Sequence, residues 1–321
     1  MIRNNLYGID PFASDVEKGL SKKHKSISSK YFYDENGSQI FTEIMNLPEY
    51  YLTNSETEIF ETHKNKITER YNGKIVFVEL GAGDATKTRI LLEKLIEKEK
   101  IHKYVPLDIS VKALDLLKEN LSDFYSNLSI QPIEIDFLAE LPELHFPNHR
   151  LVVAYLGSSL GNLTAQGSIR FLKKINSILK PGDEVFLGLD LIKDLILIKD
   201  AYDDMNGITA KFNLNLLKRM NVQLGANFNL ESFFHHASYN AKEKAMHSHV
   251  ISKIEQEIYF KSLEKTFHFN QYESIFLERS CKYSMSDILH MAHLSGFEVT
   301  DHFKDQNGWF MNVFFKKIKE V

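Results

Sequence analysis

Val78-Glu79-Leu80-Gly81-Ala82-Gly83 carries an apolar run into two glycines spaced two residues apart. Glycines at the carboxyl end of a first strand let the backbone come close to a ligand in the crevice that such folds use for binding. Two nucleotide-like ligand classes compete for the turn. A dinucleotide fingerprint needs a third glycine at position 86, where this chain has Thr86. The carboxylate of Glu79 at that mouth repels a pyrophosphate and suits a cation. S-adenosylmethionine, with its sulfonium, its ammonium and no phosphate, meets that requirement. Asp108 closes a second apolar run and can accept hydrogen bonds from both ribose hydroxyls, while Asp136-Phe137 closes a third and offers a carboxylate to the adenine amino group and a ring to its face. Either aspartate also reads as a helix N-cap. Their recurrence at strand ends in register with the glycine turn favours a ligand.

These residues can act together only if their strand ends lie side by side. Lys74–Leu80 is a continuous apolar run of the kind buried in a parallel sheet. A helix is predicted from about Ala85 to Lys98, a second strand over Tyr104–Leu107, and a helix over Val111–Leu121 capped by Ser110. Further strands are predicted at Ser129–Ile135, Arg150–Leu156 and Glu184–Leu189, with a helix around Gly167–Ile178. This alternation implies a parallel sheet with helices on both faces. Phe297–Asp301 and Trp309–Phe315 read as an antiparallel edge pair. Between about Leu191 and Lys282 the alternation stops. Helical stretches (Lys193–Asn206, Thr209–Met220) and strands such as His247–Ile251 and Glu257–Phe260 predict a second lobe inserted there.

Composition narrows the partners. The 321 residues suffice for one large or two ordinary domains, and 43% hydrophobic with 26% charged residues is ordinary for a globular chain. A net charge of −4 and a pI near 6.4 give no electrostatic footing for nucleic acid. Lys22, Lys23 and Lys25 read as solvated surface. Cys281 is the sole cysteine, which excludes an internal disulfide and a cysteine-based zinc site. Met1–Asp15 lacks the apolar stretch of a signal peptide, and no apolar run reaches the ~18 residues of a membrane span. The expectation is a cytoplasmic, monomeric protein acting on a small molecule without nucleic acid or membrane.

Four further segments stand in order along the chain. Tyr31-Phe32-Tyr33-Asp34-Glu35-Asn36-Gly37-Ser38 is followed by Leu47-Pro48-Glu49-Tyr50-Tyr51, and then comes Gly157-Ser158-Ser159-Leu160-Gly161-Asn162-Leu163. Ala201-Tyr202-Asp203-Asp204 with Gly207-Ile208-Thr209-Ala210 and Phe212-Asn213 is third, and Glu278-Arg279-Ser280-Cys281-Lys282 is fourth. With the Gly81 turn they resemble the histidine-specific N-alpha-methyltransferases of ergothioneine biosynthesis, from about Lys30 to the C-terminus. The resemblance implies an α/β fold: a class I methyltransferase Rossmann-like sheet with a second α+β lobe. Residues 56–190 and 283–321 would bind S-adenosylmethionine; residues 1–55 and 191–282 would form the amino-acid lobe. It also implies roles. Asn162 and Tyr202 would hold the α-carboxylate and amine, Gly157 would line the cleft wall, and Tyr33, the catalytic candidate, would lie beside the nitrogen. Tyr50, Glu278 and Ser280 would face the imidazole. Glu79, Gly81, Gly83, Lys87, Asp108, Asp136 and Phe137 would make the cofactor set. The implied reaction adds up to three methyls to the α-amine of histidine, giving hercynine.

The residue types suit that chemistry. A carboxylate such as Glu278 can accept a ring N–H, and the opposite nitrogen needs a donor such as Tyr50 or Ser280. A site built on a substrate N–H rejects analogues without one. Against this stand plainer readings: any of the 14 tyrosines can be a core residue, and Glu278 can be a strand-edge charge paired to Arg279 or Lys282. One departure concerns the ring pocket. The family usually has Glu-Met-His there; aligned without gaps from Tyr239-Asn240, this chain has His247-Ser248-His249, and a two-residue slip would bring in Met246. Ser248 would widen or polarise the pocket, which keeps tryptophan or tyrosine open as substrates. His247 and His249, with His235 and His236 nearby, could suggest a metal, but methyl transfer needs none and none is expected. A nicotinamide-dependent oxidoreductase is disfavoured by Thr86 and the acidic strand ends, and a non-catalytic binding protein by the full polar set.

Overall fold

The computed structural model describes residues 10–124, 126 and 128–318. The Met1–Ile9 part of the leader and first-lobe readings, and residues 319–321 of the last assignment, lie outside the described residues. The chain begins with α1 (Pro11–Leu20) and α2 (Glu35–Met45), and α3 (Tyr51–Glu69) leads into an alternating stretch. That stretch runs β1 (Ile75–Leu80), α4 (Thr88–Glu97), β2 (Ile101–Asp108), α5 (Val111–Asn120), β3 (Ser129–Ile130), β4 (Ile133–Glu134), β5 (Arg150–Tyr155), α6 (Ala165–Ile178) and β6 (Glu184–Asp190). Then come α7 (Leu195–Asp200) and α8 (Ile208–Leu224). The strands β7 (Phe233–Asn240), β8 (Ala245–Ser252), β9 (Gln256–Phe260), β10 (Lys265–Phe269) and β11 (Ser274–Cys281) follow. The chain closes with α9 (Met285–Leu294), β12 (Phe297–Lys304) and β13 (Phe310–Lys317).

Among the described residues two compact units result: 51–193, 242–245 and 280–318 form one, and 10–50, 194–241 and 246–279 the other. The first is a mixed α/β unit whose sheet runs β12-β13-β6-β5-β1-β2-β3, with β4 also on β2. β1, β2, β5 and β6 are parallel, in a register that pairs Val78 with both Val105 and Val153. β13 joins β6 antiparallel and β12 joins β13 antiparallel, as the sequence pattern predicts. Every residue of β1 and β6 is buried, because both faces of the sheet are covered. On one face Val76, Val78, Val153, Val185 and Leu187 pack with Phe171, Leu172 and Ile288 of α6 and α9. On the other, Phe186 stacks on Phe314 at 4.2 Å and meets Phe60 of α3 at 6.1 Å. Each such side chain contributes about 1.5–3 kcal/mol through removal from water.

Several elements differ from the sequence expectation for local reasons. The predicted strand Ser129–Ile135 splits at Gln131-Pro132, since proline lacks the N–H a ladder requires. α4 starts at Thr88 because Ala85 is left-handed, with φ of 59°. α7 ends at Asp200, and the Asp204 carboxylate accepts the N–H groups of Ile208 and Thr209 (3.0 and 2.7 Å), starting α8 afresh.

The other unit is organised around α8. Its buried stripe of Phe212, Leu216, Leu217, Met220 and Leu224 packs with Phe32, Ile40 and Ile44 from the N-terminal segment and with Val250, Phe260, Ile275 and Leu277 from the strands. Those strands form the sheet β11-β8-β7 and the hairpin β9-β10. The N-terminal segment also extends the edge of β11: Ile27 N–H donates to Phe276 O at 3.0 Å, and Phe276 N–H to Lys25 O at 2.9 Å.

Candidate active site

The glycine turn follows β1 directly. Gly81 has φ of 70° and Gly83 of 56°, values that favour glycine. The N–H groups of Gly81 and Ala82 both donate to Leu107 O, at 2.8 and 3.1 Å. Asp108 secures the rest: its Oδ2 accepts Gly83 N–H at 3.0 Å and its Oδ1 accepts Ser110 N–H at 2.8 Å. Burial pushes this carboxyl up, opposed by the backbone N–H groups of Ser110, Gly83 and Ile109. A carboxylate has about four acceptor sites, so acceptor capacity remains beyond these three donors. The Phe137 ring sits 3.7 Å from where a Cβ on Gly81 would lie and edge-on to Tyr155 at 5.6 Å. Asp136 accepts Ala139 N–H at 3.2 Å, the capping arrangement weighed from the sequence.

Glu79 is placed differently from the expectation. The sequence puts its carboxylate at the mouth of the turn; the structure leaves it 3% exposed behind it. It accepts from Thr88 Oγ1 at 2.6 Å and from the Tyr104 hydroxyl. Side chains alternate along a strand, and this one points to the face that α4 covers. Burial raises its pKa to about 7, against the pull of the two hydroxyls.

Gly157, with φ of 67°, and Ser158, with φ of 59°, form a left-handed pair at the end of β5. Gly157 N–H donates to both oxygens of Glu56, at 3.2 and 3.0 Å. The same carboxylate pairs with Lys87 Nζ and accepts from Asn312 Nδ2 at 2.9 Å. Glu56 is absent from the residues chosen on sequence. Its signal was available: a carboxylate stands in the apolar stripe of α3 with Leu52, Ile59 and Phe60. Asn162 ends the short 3-10 turn Ser159–Asn162 that follows and is partly exposed.

A second buried cluster was also missed. Asp190, at the end of β6, accepts the Tyr51 hydroxyl at 2.8 Å and Lys282 Nζ at 2.8 Å and pairs with Lys193. Lys193 also donates to the Tyr51 hydroxyl at 2.9 Å, and burial lowers its pKa to about 8 despite Asp190. Lys282 Nζ donates to Ser280 Oγ at 2.9 Å. An ammonium only donates, so the Ser280 proton points away from it and the hydroxyl is set as a donor.

In the other unit Tyr33 follows the turn Ser29–Phe32, its ring edge-on to Phe41 at 5.5 Å and Phe212 at 5.8 Å. Tyr50 meets Phe41 at 6.1 Å, so one phenylalanine supports both tyrosines. Tyr202 is buried, and its carbonyl is 2.9 Å from His235 Nε2, which makes that nitrogen the donor. Glu278 is half-buried on β11, two residues before Ser280 and so on the same side of the strand. Met246 and Ser248 are both buried and two residues apart on β8, so either alignment of the ring-pocket segment falls on one face. The His247 and His249 rings are edge-on to Phe276 at 5.2 and 5.4 Å, and burial lowers the pKa of His249 to about 4. Among the described residues no group of three His, Cys, Asp or Glu side chains could hold a metal.

Residues 12–317 match the family described as histidine-specific methyltransferase, SAM-dependent. The histidine N-alpha-methyltransferase of Mycobacterium tuberculosis is 36% identical over 269 residues, covering 84% of this chain and 83% of that protein. The histidine N-alpha-methyltransferase of Mycolicibacterium smegmatis is 34% identical over 296 residues, covering 92% of each. This chain belongs to the histidine-specific methyltransferase family. The fold also matches the solved structure of mitomycin 7-O-methyltransferase, with a TM-score of 0.50 at 12% identity over 96% of this chain and 69% of that one.

As a member of this family the protein is an enzyme that uses S-adenosylmethionine. The cofactor supplies an electrophilic methyl on a sulfonium. The residues fit it: Asp108 keeps acceptor capacity beyond its backbone donors, Phe137 presents a ring beside the glycine turn, and Lys87 presents a cation. What remains for the protein is orientation: holding an amine lone pair in line, which is proximity work.

Proposed function

We propose that this enzyme transfers methyl groups to the α-amino nitrogen of free L-histidine, up to the trimethylated product hercynine. The observation that carries the ring preference is the pair on β11. Glu278 supplies a carboxylate acceptor, and two residues on Ser280, whose oxygen accepts from Lys282 Nζ, supplies a hydroxyl proton. A neutral imidazole has one N–H and one bare nitrogen, the complementary pattern. The cofactor is assigned to Gly81, Gly83, Lys87, Asp108, Asp136 and Phe137, with Glu79 supporting the turn from behind. Asn162 and Tyr202 are assigned to the carboxylate and amine, Tyr50 to the ring, and Gly157 to leaving space at the nitrogen. Residues 56–190 and 283–321 would carry the cofactor, and residues 1–55 and 191–282 the amino acid.

The α-ammonium has to lose a proton before each transfer. The Tyr33 phenol is assigned to relaying it, directly or through water. Because the amine gains bulk with each methyl, the grip falls on the carboxylate and ring. Among the described residues no helix is long and apolar enough to cross a membrane. A cytoplasmic, monomeric enzyme is part of the same proposal. Ser248 supports a second reading, in which a roomier pocket accepts another aromatic amino acid. Incubating the protein with S-adenosylmethionine and the pooled amino acids, and following mass gains of one, two and three methyls, separates the two. Trimethylated histidine is expected; methylation of tryptophan or tyrosine alone would overturn the histidine assignment.

A further inference from the structure

We infer that Glu56 is the positioning residue for the amino-acid end of the cofactor, acting through Lys87 and Gly157. Its side chain is fully buried, yet it accepts from Lys87 Nζ, the Gly157 N–H and Asn312 Nδ2. These donors come from the loop after β1, the end of β5 and the middle of β13, so one carboxylate fixes three neighbouring parts of the sheet. β6 is shaped to admit it: a Cβ on Gly188 would fall 2.1 Å from Glu56 Oε1. Lys87 Nζ is in turn 3.6 Å from where a Gly157 Cβ would lie.

The chemistry follows from donor counting. A lysine ammonium has three donors on a long flexible stem, and ordering that stem costs entropy. Glu56 holds one donor and orders the stem, which leaves donors for an anion. The only fixed anion of S-adenosylmethionine is its carboxylate, and its ammonium balances the charge added. Glu56 therefore touches no ligand itself; it aims the group that does, and it holds the left-handed Gly157-Ser158 turn alongside. The inference rests on reading Lys87 as a cofactor contact.

The test compares two ligands by calorimetry. S-adenosylhomocysteine has the amino-acid end; 5′-methylthioadenosine keeps the nucleoside and thioether without it. Glu56→Gln is expected to weaken S-adenosylhomocysteine about ten-fold or more, the scale of a lost charge-assisted hydrogen bond, and to leave methylthioadenosine within about two-fold. Lys87→Met should show the same selectivity, the double variant should be no worse than Lys87→Met alone, and Glu56→Asp should recover part of the loss. Equal weakening of both ligands by Glu56→Gln, or none, would overturn the inference. If Lys87→Met is selective and Glu56→Gln is not, the role of Glu56 alone falls. If neither is selective, the reading of Lys87 falls with it.

Discussion

At the residue scale Glu79 makes stability depend on pH. Its folded carboxyl is raised from 4.5 to about 7, chiefly by burial. The folded state thus holds the proton where the unfolded chain releases it. The contribution is fully present below about pH 4.5 and is lost as pH rises through about 7. Glu79→Gln removes the ionisation while keeping the size. The variant's melting temperature relative to the parent should therefore rise between pH 5 and pH 8 in calorimetric scans; a gap that stays constant would contradict the assignment. Tyr33 makes a kinetic prediction. Tyr33→Phe should slow the second and third methylations more than it weakens histidine binding, as read from the mono-, di- and trimethyl product ratios. Equal loss at every step would remove Tyr33 from proton relay.

At the element scale the end of β5 and the middle of β6 depend on missing side chains. Gly157→Ala forces alanine into φ of 67°, at about 1–2 kcal/mol. Its Cβ would meet Lys87 Nζ at an ordinary 3.6 Å, so the cost is conformational. Gly188→Ala has the opposite character: its backbone is ordinary for a strand, but its Cβ collides with Glu56. Displacing a buried carboxylate from three donors costs more than turning one residue. Gly188→Ala should lower the melting temperature further than Gly157→Ala and should also weaken S-adenosylhomocysteine. Comparable shifts would mean that Glu56 relocates without loss.

At the scale of the whole molecule each unit has its own apolar core. A ligand that binds the folded state stabilises it by mass action, about 2.7 kcal/mol at one hundred times Kd. Hydrogen exchange with S-adenosylhomocysteine should therefore gain protection around residues 81–88, 108–110 and 136–139. Protection confined to α8 and the strands β7–β11 would contradict the cofactor assignment.

What the sequence determined by itself follows from period and punctuation. Largely apolar runs such as Lys74–Leu80 and Glu184–Leu189 read as strands covered on both faces, and the Gly81-Ala82-Gly83 turn after the first of them marks the end of the sheet proposed for the cofactor. Thr86 already argued against a dinucleotide. The tertiary structure decided what no local pattern records: which charge is buried and which partner holds it. Glu79 reads like an exposed mouth residue until α4 covers its face. Asp190, Lys193 and Lys282 have unremarkable neighbours in sequence, and Glu56 shows only as a carboxylate in an apolar stripe, yet all four side chains are buried. Decisive partners lie far along the chain, as Asn312 does from Glu56 and Lys282 from Asp190. A hydrogen bond between such distant groups exists only once the fold has brought donor and acceptor together and removed the water that would otherwise satisfy them.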